Sequence, residues 1–376
     1  MRLCLYSPSL GEVVAGGAET FGREIARRLS RRHEVHVVCG GTVAPELAAI
    51  KDITFHTFPY VRRNSAPADA FRSLTRYHLD AFWLESVSFF PAAKRHFTEN
   101  EYDLVAVLYP PDSMVRSVAK GKLAVHFQGY PVGSIKRRIY KRILDRYDPE
   151  VSASCSRFVA ERVRESLGIE SAVVYNGVDT KRFAPGKRDP ELMEAFLLED
   201  RQAVLFVGRF TKQKGVDTLL RAIARMPDDT VLLLAGGGPL EERLRALAKE
   251  LGIEERIRFL GVVAHHELPR LYKAANVVAV PSNMEPLGIV CLEAMACGAP
   301  VVASDVGGLP ELVGEDAGQL IEPGDPEGLA QGLTTVLEDD KLARRMGAAG
   351  RKRAEKMDWD AISAQVEDLY LAGLKE

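Results

Sequence analysis

Residues 203–225, AVLFVGRFTKQKGVDTLLRAIAR, carry a strand, a glycine-containing loop and a helix in direct succession. The continuous apolar run Ala203–Val207 is typical of a buried parallel strand. Gly208 permits a tight turn after it, and the residues from Gly215 to Arg225 have the pattern of a helix. Strand, loop and helix in this order are the repeating unit of a parallel sheet covered by helices.

The same alternation extends in both directions from this stretch, which predicts two α/β domains. Asn-Gly, Pro-Gly and charged residues in 173–187, VVYNGVDTKRFAPGK, are linker signals. We therefore predict domains over 1–180 and 181–355, with a closing helix in 356–376 that packs back on the first domain. The predicted strands lie at 2–6, 34–39, 102–108, 123–127, 150–153, 203–207, 230–235, 257–260, 277–280 and 300–303, and the predicted helices at 18–32, 158–167, 215–225, 239–251, near 288–297 and 359–374.

Composition limits the class of protein. The chain has 376 residues, of which 46% are hydrophobic and 27% charged, as in a globular protein. A net charge of −2 argues against a protein built to coat nucleic acid, although residues 1–185 carry +7 and residues 186–376 carry −9. Five cysteines without metal-type pairing suit a reducing cytosol, and no apolar stretch is long enough to span a bilayer. We expect a cytoplasmic protein.

The loop after the strand Ala203–Val207 presents two cations. Arg209 and Lys214 are five residues apart at a strand end, where ligands of open parallel sheets bind. Together they suit one polyanion. The alternative interpretation is a solvated basic loop.

Two glutamates flank seven residues in 280–298, VPSNMEPLGIVCLEAMACG. The pattern predicts a helix that starts near Pro286 and exposes the first amides, near Gly288 and Ile289, to a phosphate. Glu285 and Glu293 then suit two different hydroxyl-bearing parts of one ligand. The alternative is that both are ordinary surface glutamates.

Candidate residues in the front half are less specific. Gly16 and Gly17 follow the first strand, but the surrounding sequence lacks Gly-x-Gly-x-x-Gly, which disfavours NAD. His126 ends the strand LAVHF, and we expect its imidazole on a loop that faces the cleft. A structural histidine is the alternative.

Taken together and in order, these motifs resemble the family 4 retaining glycosyltransferases of GT-B architecture, also called group 1. The resemblance covers roughly 1–40 and 123–376, whereas residues 42–122, which help to shape the acceptor side in that family, add little. The motifs are GGAE at 16–19, His126, SRFVAERV at 156–163, NGVD at 176–179, GRFTKQKG at 208–215, AGGGP at 235–239, FLGVV at 259–263 and EPLGIVCLE at 285–293.

The resemblance implies an α/β fold with two Rossmann-like domains, whose parallel sheets face an interdomain cleft. The first domain would bind the acceptor and the second the nucleotide-sugar donor. Arg209 and Lys214 would hold the donor diphosphate, Glu285 the sugar hydroxyls, Glu293 the ribose, and His126 would contact the sugar. The implied catalytic residues are His126, Arg209, Lys214 and Glu285, and the implied donor-binding residues are Gly16, Gly17, Gly208, Arg209, Lys214, Gly261, Val262, Glu285, Leu287, Gly288, Ile289 and Glu293.

The implied function is a hexosyltransferase-type transfer, with retention, from a UDP-, GDP- or ADP-sugar to a glycan, lipid-linked or small-molecule acceptor. No cofactor and no metal are expected, because no Asp-x-Asp arrangement of the kind that GT-A glycosyltransferases use and no His/Cys cluster stands out in the sequence. The alternatives are a catalytically silent glycan-binding or scaffold subunit and a sugar-nucleotide epimerase of the same fold.

Residues 135–147, IKRRIYKRILDRY, have the pattern of a basic amphipathic helix. Ile135, Ile139 and Ile143 lie one turn apart, and six basic residues surround them. Such a helix suits peripheral association with an anionic membrane, at its inner face. The alternative is a domain helix whose isoleucines pack on the sheet.

Overall fold

The computed structural model describes residues 1–11, 16–62 and 81–375, and these form two compact units. Unit 1 is Met1–Asn176 together with the segment that begins at Trp359, and unit 2 is Gly177–Asp358. Each unit contains one sheet of parallel strands with flanking helices. The predicted α/β class with two Rossmann-like domains is confirmed.

Unit 1 contains a seven-stranded parallel sheet in the order β3-β2-β1-β4-β5-β6-β7. β1 lies between β2 and β4, with Leu3 opposite Val35 on one side and Leu104 on the other. The strands are β1 (Arg2–Tyr6), β2 (Glu34–Gly40), β3 (Ile53–Phe58), β4 (Leu104–Val107), β5 (Lys122–Phe127), β6 (Val151–Ser154) and β7 (Ala172–Val173), and the helices are α1 (Gly17–Leu29), α2 (Pro45–Ala48), α3 (Ala81–Glu99), α4 (Ser134–Arg146) and α5 (Arg157–Leu167).

Local sequence explains these elements. In α1, Phe21, Ile25 and Leu29 recur every four residues, and all three are buried against the sheet. Ser156 caps α5 through its hydroxyl, which accepts a hydrogen bond from the Val159 amide at 3.0 Å. Sequence patterning thus positions helices on the faces of a sheet whose strands are buried.

Unit 2 contains a six-stranded parallel sheet in the order β10-β9-β8-β11-β12-β13. Its core consists of side chains from the central strands and from the helices that cover them. The strands are β8 (Gln202–Val207), β9 (Thr230–Ala235), β10 (Ile257–Gly261), β11 (Val277–Val280), β12 (Val301–Ser304) and β13 (Gly318–Ile321), and the helices are α6 (Pro190–Ala195), α7 (Val216–Ile223), α8 (Glu241–Glu250), α9 (Leu268–Ala274), α10 (Ile289–Ala296), α11 (Leu309–Val313), α12 (Pro326–Glu338) and α13 (Asp340–Lys356).

The last helix, α14 (Trp359–Gly373), belongs to unit 1. Trp359, Ile362, Val366 and Tyr370 are buried in the core that α1 and the first sheet form. Arg28 of α1 also donates a hydrogen bond to Asp360 at 2.6 Å. The chain therefore leaves unit 1, forms unit 2 and returns.

Both sheets have a point where the strand order reverses. In unit 1 it lies between β1 and β4, and in unit 2 between β8 and β11. The loops that follow such a pair of strands separate to opposite sides of the sheet and leave a crevice at the carboxyl ends, where open α/β sheets bind ligands. The fold thus indicates where each unit should be searched for a site.

Asp112 is a buried carboxylate near the reversal point of unit 1. It lies in the turn that follows β4 and is 1% exposed. Burial raises the pKa of this carboxyl to about 7, and the nearby charge of Glu85 adds to the rise, although the neighbouring hydroxyl groups of Ser86 and Ser7 oppose it. All five cysteines are buried as free thiols, as predicted.

Candidate functional site

The reversal point of unit 2 brings together a cation and a carboxylate from two loops. Lys214 follows β8, Glu285 follows β11, and the Lys214 Nζ lies 2.6 Å from the Glu285 Oε2. The Ser282 hydroxyl donates to the same oxygen at 3.2 Å. The Lys214 side chain is 25% exposed and that of Glu285 10%, so the pair lies at the surface of unit 2 without being fully solvated. Both residues belong to the predicted site.

Backbone contacts hold the two loops in register. The Asn283 amide donates to the Gln213 carbonyl at 2.8 Å, and the Asn283 side chain donates to the Lys212 carbonyl at 2.8 Å. Gly215 has a φ of +62°, and a Cβ there would lie 1.9 Å from the Pro281 carbonyl oxygen. Only glycine permits this approach. Rigid loops therefore position Lys214 against Glu285.

Arg209, the second predicted cation, lies on the loop after β8 and is exposed. Among the described residues, no ion pair includes its guanidinium. The structure places it on the same loop as Lys214 without a recorded contact between the two side chains. Within the described residues its charge is therefore uncompensated, whereas that of Lys214 is balanced by Glu285.

Glu293, the second predicted carboxylate, lies buried in α10. Its Oε1 is 2.7 Å from the Nε2 of His265, and its Oε2 accepts a hydrogen bond from the Tyr272 hydroxyl at 2.8 Å. Burial and the neighbouring Glu293 charge raise the pKa of Tyr272 well above its usual value. His265 and Tyr272 were not predicted as site residues, because nothing in their local sequence relates them to a glutamate at least 21 residues away.

Helix α10 begins later than predicted. It starts at Ile289, and Gly288 before it has a φ of +104°, a left-handed value that interrupts helical geometry. The prediction that the helix starts near Pro286 is therefore wrong, whereas the predicted range near 288–297 is confirmed by the observed Ile289–Ala296. Leu287 is buried within unit 2, and Ile289 is half-buried in the first turn of α10.

The remaining donor-side candidates lie at neighbouring strand ends. Gly208 directly follows β8, and its amide donates to the Ala235 carbonyl at 3.0 Å. Gly261 ends β10, where its carbonyl accepts from the Gly236 amide at 2.7 Å. Val262 follows and is 70% exposed. The carboxyl ends of β8, β9 and β10 are thus joined by backbone hydrogen bonds.

In unit 1, the glycine pair is at the start of α1. Gly16 precedes the helix and Gly17 is its first residue, and both are exposed. The Gly16 amide donates to the Glu19 carboxylate at 3.0 Å, and the Ser9 hydroxyl donates to the other oxygen of Glu19 at 2.8 Å. The side chain of Glu19 therefore fixes the turn that carries the glycines.

His126 does not lie on a loop, contrary to the prediction. It lies within β5, is 2% exposed and packs on the Phe21 ring at 4.9 Å between centroids. Its Nε2 forms a hydrogen bond with the Tyr370 hydroxyl at 2.7 Å. Burial lowers the pKa of His126 to about 3, which keeps the imidazole neutral. The strand continues through Phe127, because His126 and Phe127 are both buried and pair with Ala153 and Ser154 of β6.

Within the residues that the structure describes, no cluster of His, Cys, Asp and Glu side chains is arranged to hold a metal ion. In the same residues, no helix is both long and apolar enough to cross a membrane.

Comparison with known proteins identifies the family. Residues 15–182 match the model for Glycosyltransferase Family 4, and residues 189–353 match that for Glycosyl transferases group 1. A GDP-mannose-dependent alpha-(1-6)-phosphatidylinositol monomannoside mannosyltransferase from Mycolicibacterium smegmatis is 35% identical over 269 residues, which are 67% of this chain and 69% of that protein. The chain belongs to the group 1 glycosyltransferases, which are sugar-transferring enzymes.

A second relative is the D-inositol 3-phosphate glycosyltransferase of Corynebacterium glutamicum, which is 38% identical over 212 residues. That alignment spans 53% of this chain and about half, 51%, of the relative. Among solved structures, a sucrose-phosphate synthase from Thermosynechococcus elongatus superposes with a TM-score of 0.81 at 27% identity, over 99% of this chain and 98% of that one. The fold class is that of GT-B glycosyltransferases.

Proposed function

We propose that the chain transfers a sugar from a nucleotide-diphosphate sugar to an acceptor hydroxyl, with retention at the anomeric carbon. The observation that carries this proposal is the contact between Lys214 and Glu285 at the reversal point of unit 2. The Lys214 ammonium suits a phosphate, and the neighbouring Glu285 carboxylate suits the hydroxyls of a sugar. A nucleotide sugar has both features next to each other.

Donor binding would exchange the partners of this ion pair. The diphosphate competes with Glu285 for the Lys214 ammonium, and the carboxylate then accepts hydrogen bonds from sugar hydroxyls. Arg209, which has no ion pair among the described residues, adds a second cation from the same loop. Both cations stabilise the negative charge that develops on the leaving diphosphate. Gly208, Gly261, Val262, Leu287, Gly288 and Ile289 complete our proposed donor contacts.

The proposed chemical step needs no protein nucleophile. The bond between the anomeric carbon and the phosphate oxygen breaks while the acceptor oxygen bonds to the same face of that carbon. The acceptor proton passes to the departing phosphate oxygen, so the products are a glycoside and a nucleoside diphosphate. Gly16 and Gly17 of unit 1 are further proposed donor contacts, whereas His126 is buried within β5 and is not among them.

We propose an acceptor that carries a negatively charged phosphate. The names of both curated relatives include an inositol linked to phosphate, one as D-inositol 3-phosphate and the other as a phosphatidylinositol mannoside. The excess of positive charge in residues 1–185 of this chain would attract such acceptors.

We also propose that helix α4 attaches unit 1 to an anionic membrane. Its packed face consists of Tyr140 and Leu144, not of the predicted isoleucine stripe, so Ile135 is 46% exposed and the adjacent Val132 is 56% exposed. Hydrophobic side chains beside unpaired cations favour the interface of an anionic bilayer. Among the described residues no ion pair includes the exposed cations Arg137, Arg138 and Arg142.

A panel of nucleotide sugars tests the proposed reaction. UDP-, GDP- and ADP-sugars are added separately, and the shift in melting temperature is followed by assays of donor hydrolysis and of transfer to inositol phosphates. Because a ligand that binds only the folded state stabilises it by mass action, a true donor should give a dose-dependent shift. Absence of a shift and of turnover with every donor would overturn the proposal.

The assay also separates the alternatives. A silent glycan-binding subunit would bind glycans without consuming any nucleotide sugar. An epimerase would convert the sugar of the donor without releasing a nucleoside diphosphate. The combination of cations after β8 with a carboxylate after the neighbouring β11 favours the transferase over a glycan-binding subunit, since a glycan-binding protein has no need of a diphosphate site.

A further inference from the structure

The carboxylate of Glu293 is held by donors on both of its oxygens. Its Oε1 is 2.7 Å from the Nε2 of His265, and its Oε2 is 2.8 Å from the Tyr272 hydroxyl. Since a carboxylate accepts hydrogen bonds, the imidazole N–H and the phenol O–H are the donors. The side chain of Glu293 therefore has one defined orientation before any ligand binds.

The two donors differ in their access to solvent. Tyr272 is buried in the interior of unit 2, whereas the side chain of His265 is 48% exposed. The Phe183 ring packs on both, with centroids 5.1 Å from His265 and 6.0 Å from Tyr272. Tyr272 thus fixes the carboxylate from the interior, and His265 contacts it on the side from which a ligand can approach.

We infer that His265 is a positioning residue for the ribose of the donor nucleotide. The inference rests on the proposed function, in which Glu293 binds that ribose. An ionised carboxylate offers about four lone-pair sites, and His265 and Tyr272 occupy two of them. The other two match the 2′- and 3′-hydroxyls of a ribose, provided that the carboxylate does not rotate.

Loss of the imidazole would leave the Glu293 carboxylate held by the Tyr272 hydroxyl alone, and therefore freer to rotate about its Cγ–Cδ bond. The ligand would then have to order it, which reduces affinity for a ribose more than for a sugar without the full diol. A purely structural role for His265 would instead lower stability and leave the preference for ribose unchanged. The ratio of the affinity for a ribonucleotide to the affinity for its 2′-deoxy form therefore distinguishes a positioning role of His265 from a structural one.

The experiment compares UDP, GDP and ADP with their 2′-deoxy counterparts by isothermal titration calorimetry on the full chain. The wild type should bind one ribonucleotide more tightly than its 2′-deoxy form. His265→Ala should reduce that ratio by about fivefold to tenfold, the loss expected when a hydrogen bond to a charged group is weakened. His265→Gln keeps an N–H near the Nε2 position and should stay within about twofold of the wild type.

His266→Ala is the matched control, because His266 is the next residue, is exposed and contacts only Glu267 in the described part of the chain, at 3.6 Å. It should leave the ratio unchanged. Circular dichroism checks that each variant is folded. If His265→Ala retains the full preference for ribose, or weakens both nucleotides equally, the inference is overturned. If the wild type binds none of the six nucleotides, the proposed function itself fails.

Discussion

Lys214 and Glu285 are 71 residues apart in the chain, yet their side chains meet at 2.6 Å. They meet because β8 and β11 are neighbours in the sheet and both loops leave from the same edge. Both charges are partly desolvated, and the ion pair compensates each of them with a charge of opposite sign. Glu285 thus neutralises Lys214, and a diphosphate has to displace the carboxylate in order to bind the ammonium.

Lys214→Ala should lower the rate of sugar transfer by about 10²–10³, the cost of removing one group that stabilises developing charge. The fold should persist, since Lys214 lies on a loop rather than in the core of unit 2. Steady-state kinetics with the donor that the nucleotide panel identifies would measure the effect.

Lys212→Ala is the control for this change. Lys212 is exposed on the same loop, and the contact of that residue with Asn283 uses only its backbone carbonyl. The control should transfer at close to the wild-type rate. A folded Lys214→Ala variant with normal turnover would remove Lys214 from the catalytic site.

Tyr370→Phe should destabilise unit 1 by about 1–3 kcal/mol, because it leaves the buried Nε2 of His126 without its hydrogen bond. The change removes one oxygen and creates little empty volume. Urea unfolding would measure the loss. Tyr147→Phe, at a half-buried tyrosine for which the described residues show no hydroxyl partner, should change the free energy of unfolding far less. Equal effects would mean that the hydrogen bond contributes nothing.

Asp112→Asn should stabilise the protein at pH 8 more than at pH 5. Burial raises the folded-state pKa of Asp112 to about 7 from a usual value of 3.8. Between these values the folded state holds a proton that the unfolded state has released, so the free energy of unfolding falls as pH rises and levels off above about 7. Because asparagine cannot ionise, the variant does not undergo this decrease in the free energy of unfolding.

Urea unfolding of both proteins at the two pH values would measure this difference. The exposed Asp52→Asn is the control and should behave as the wild type does at each pH. A stability difference between Asp112→Asn and the wild type that stays constant with pH would contradict the assignment.

The double variant Arg137→Glu/Arg138→Glu should abolish flotation with vesicles that contain phosphatidylglycerol, because each cation near such a surface contributes about 1 kcal/mol. Ile135→Asp should weaken flotation through loss of apolar insertion. The double variant Arg221→Glu/Arg243→Glu, at two exposed arginines of unit 2, is the charge-matched control. Wild-type protein that does not associate with these vesicles at low salt would refute the proposed membrane contact.

Much of the fold could be predicted from the sequence, since apolar periodicity reports burial directly. The helix over 18–32 is observed as α1 (Gly17–Leu29), and the strand over 203–207 as β8 (Gln202–Val207). β3 and β13 were not predicted, because both lie at sheet edges and most of their residues are partly or fully exposed. Residues 63–80, part of the stretch that added little to the resemblance, lie outside the described residues.

The candidate site was predictable only as residue types near strand ends. Sequence motifs brought Lys214 and Glu285 to one site, but their direct pairing depends on the order of strands in the sheet. His126 was misplaced because a strand end and a strand interior look alike where every neighbour is apolar. Ile135 was expected in a packed or membrane-facing stripe, and only the structure shows that Tyr140 and Leu144 form the packed face.

The return of α14 to unit 1 has a consequence for how the protein is made on the ribosome. Unit 2 is a continuous segment, so it can fold as soon as Asp358 has left the exit tunnel. Unit 1 lacks Trp359, Ile362, Val366 and Tyr370 until these residues have followed Asp358 out of the tunnel, although the other residues of unit 1 were synthesised before unit 2. Unit 1 therefore has an incomplete apolar core while unit 2 folds. During that interval we expect the nascent chain to be most prone to aggregation and to chaperone binding.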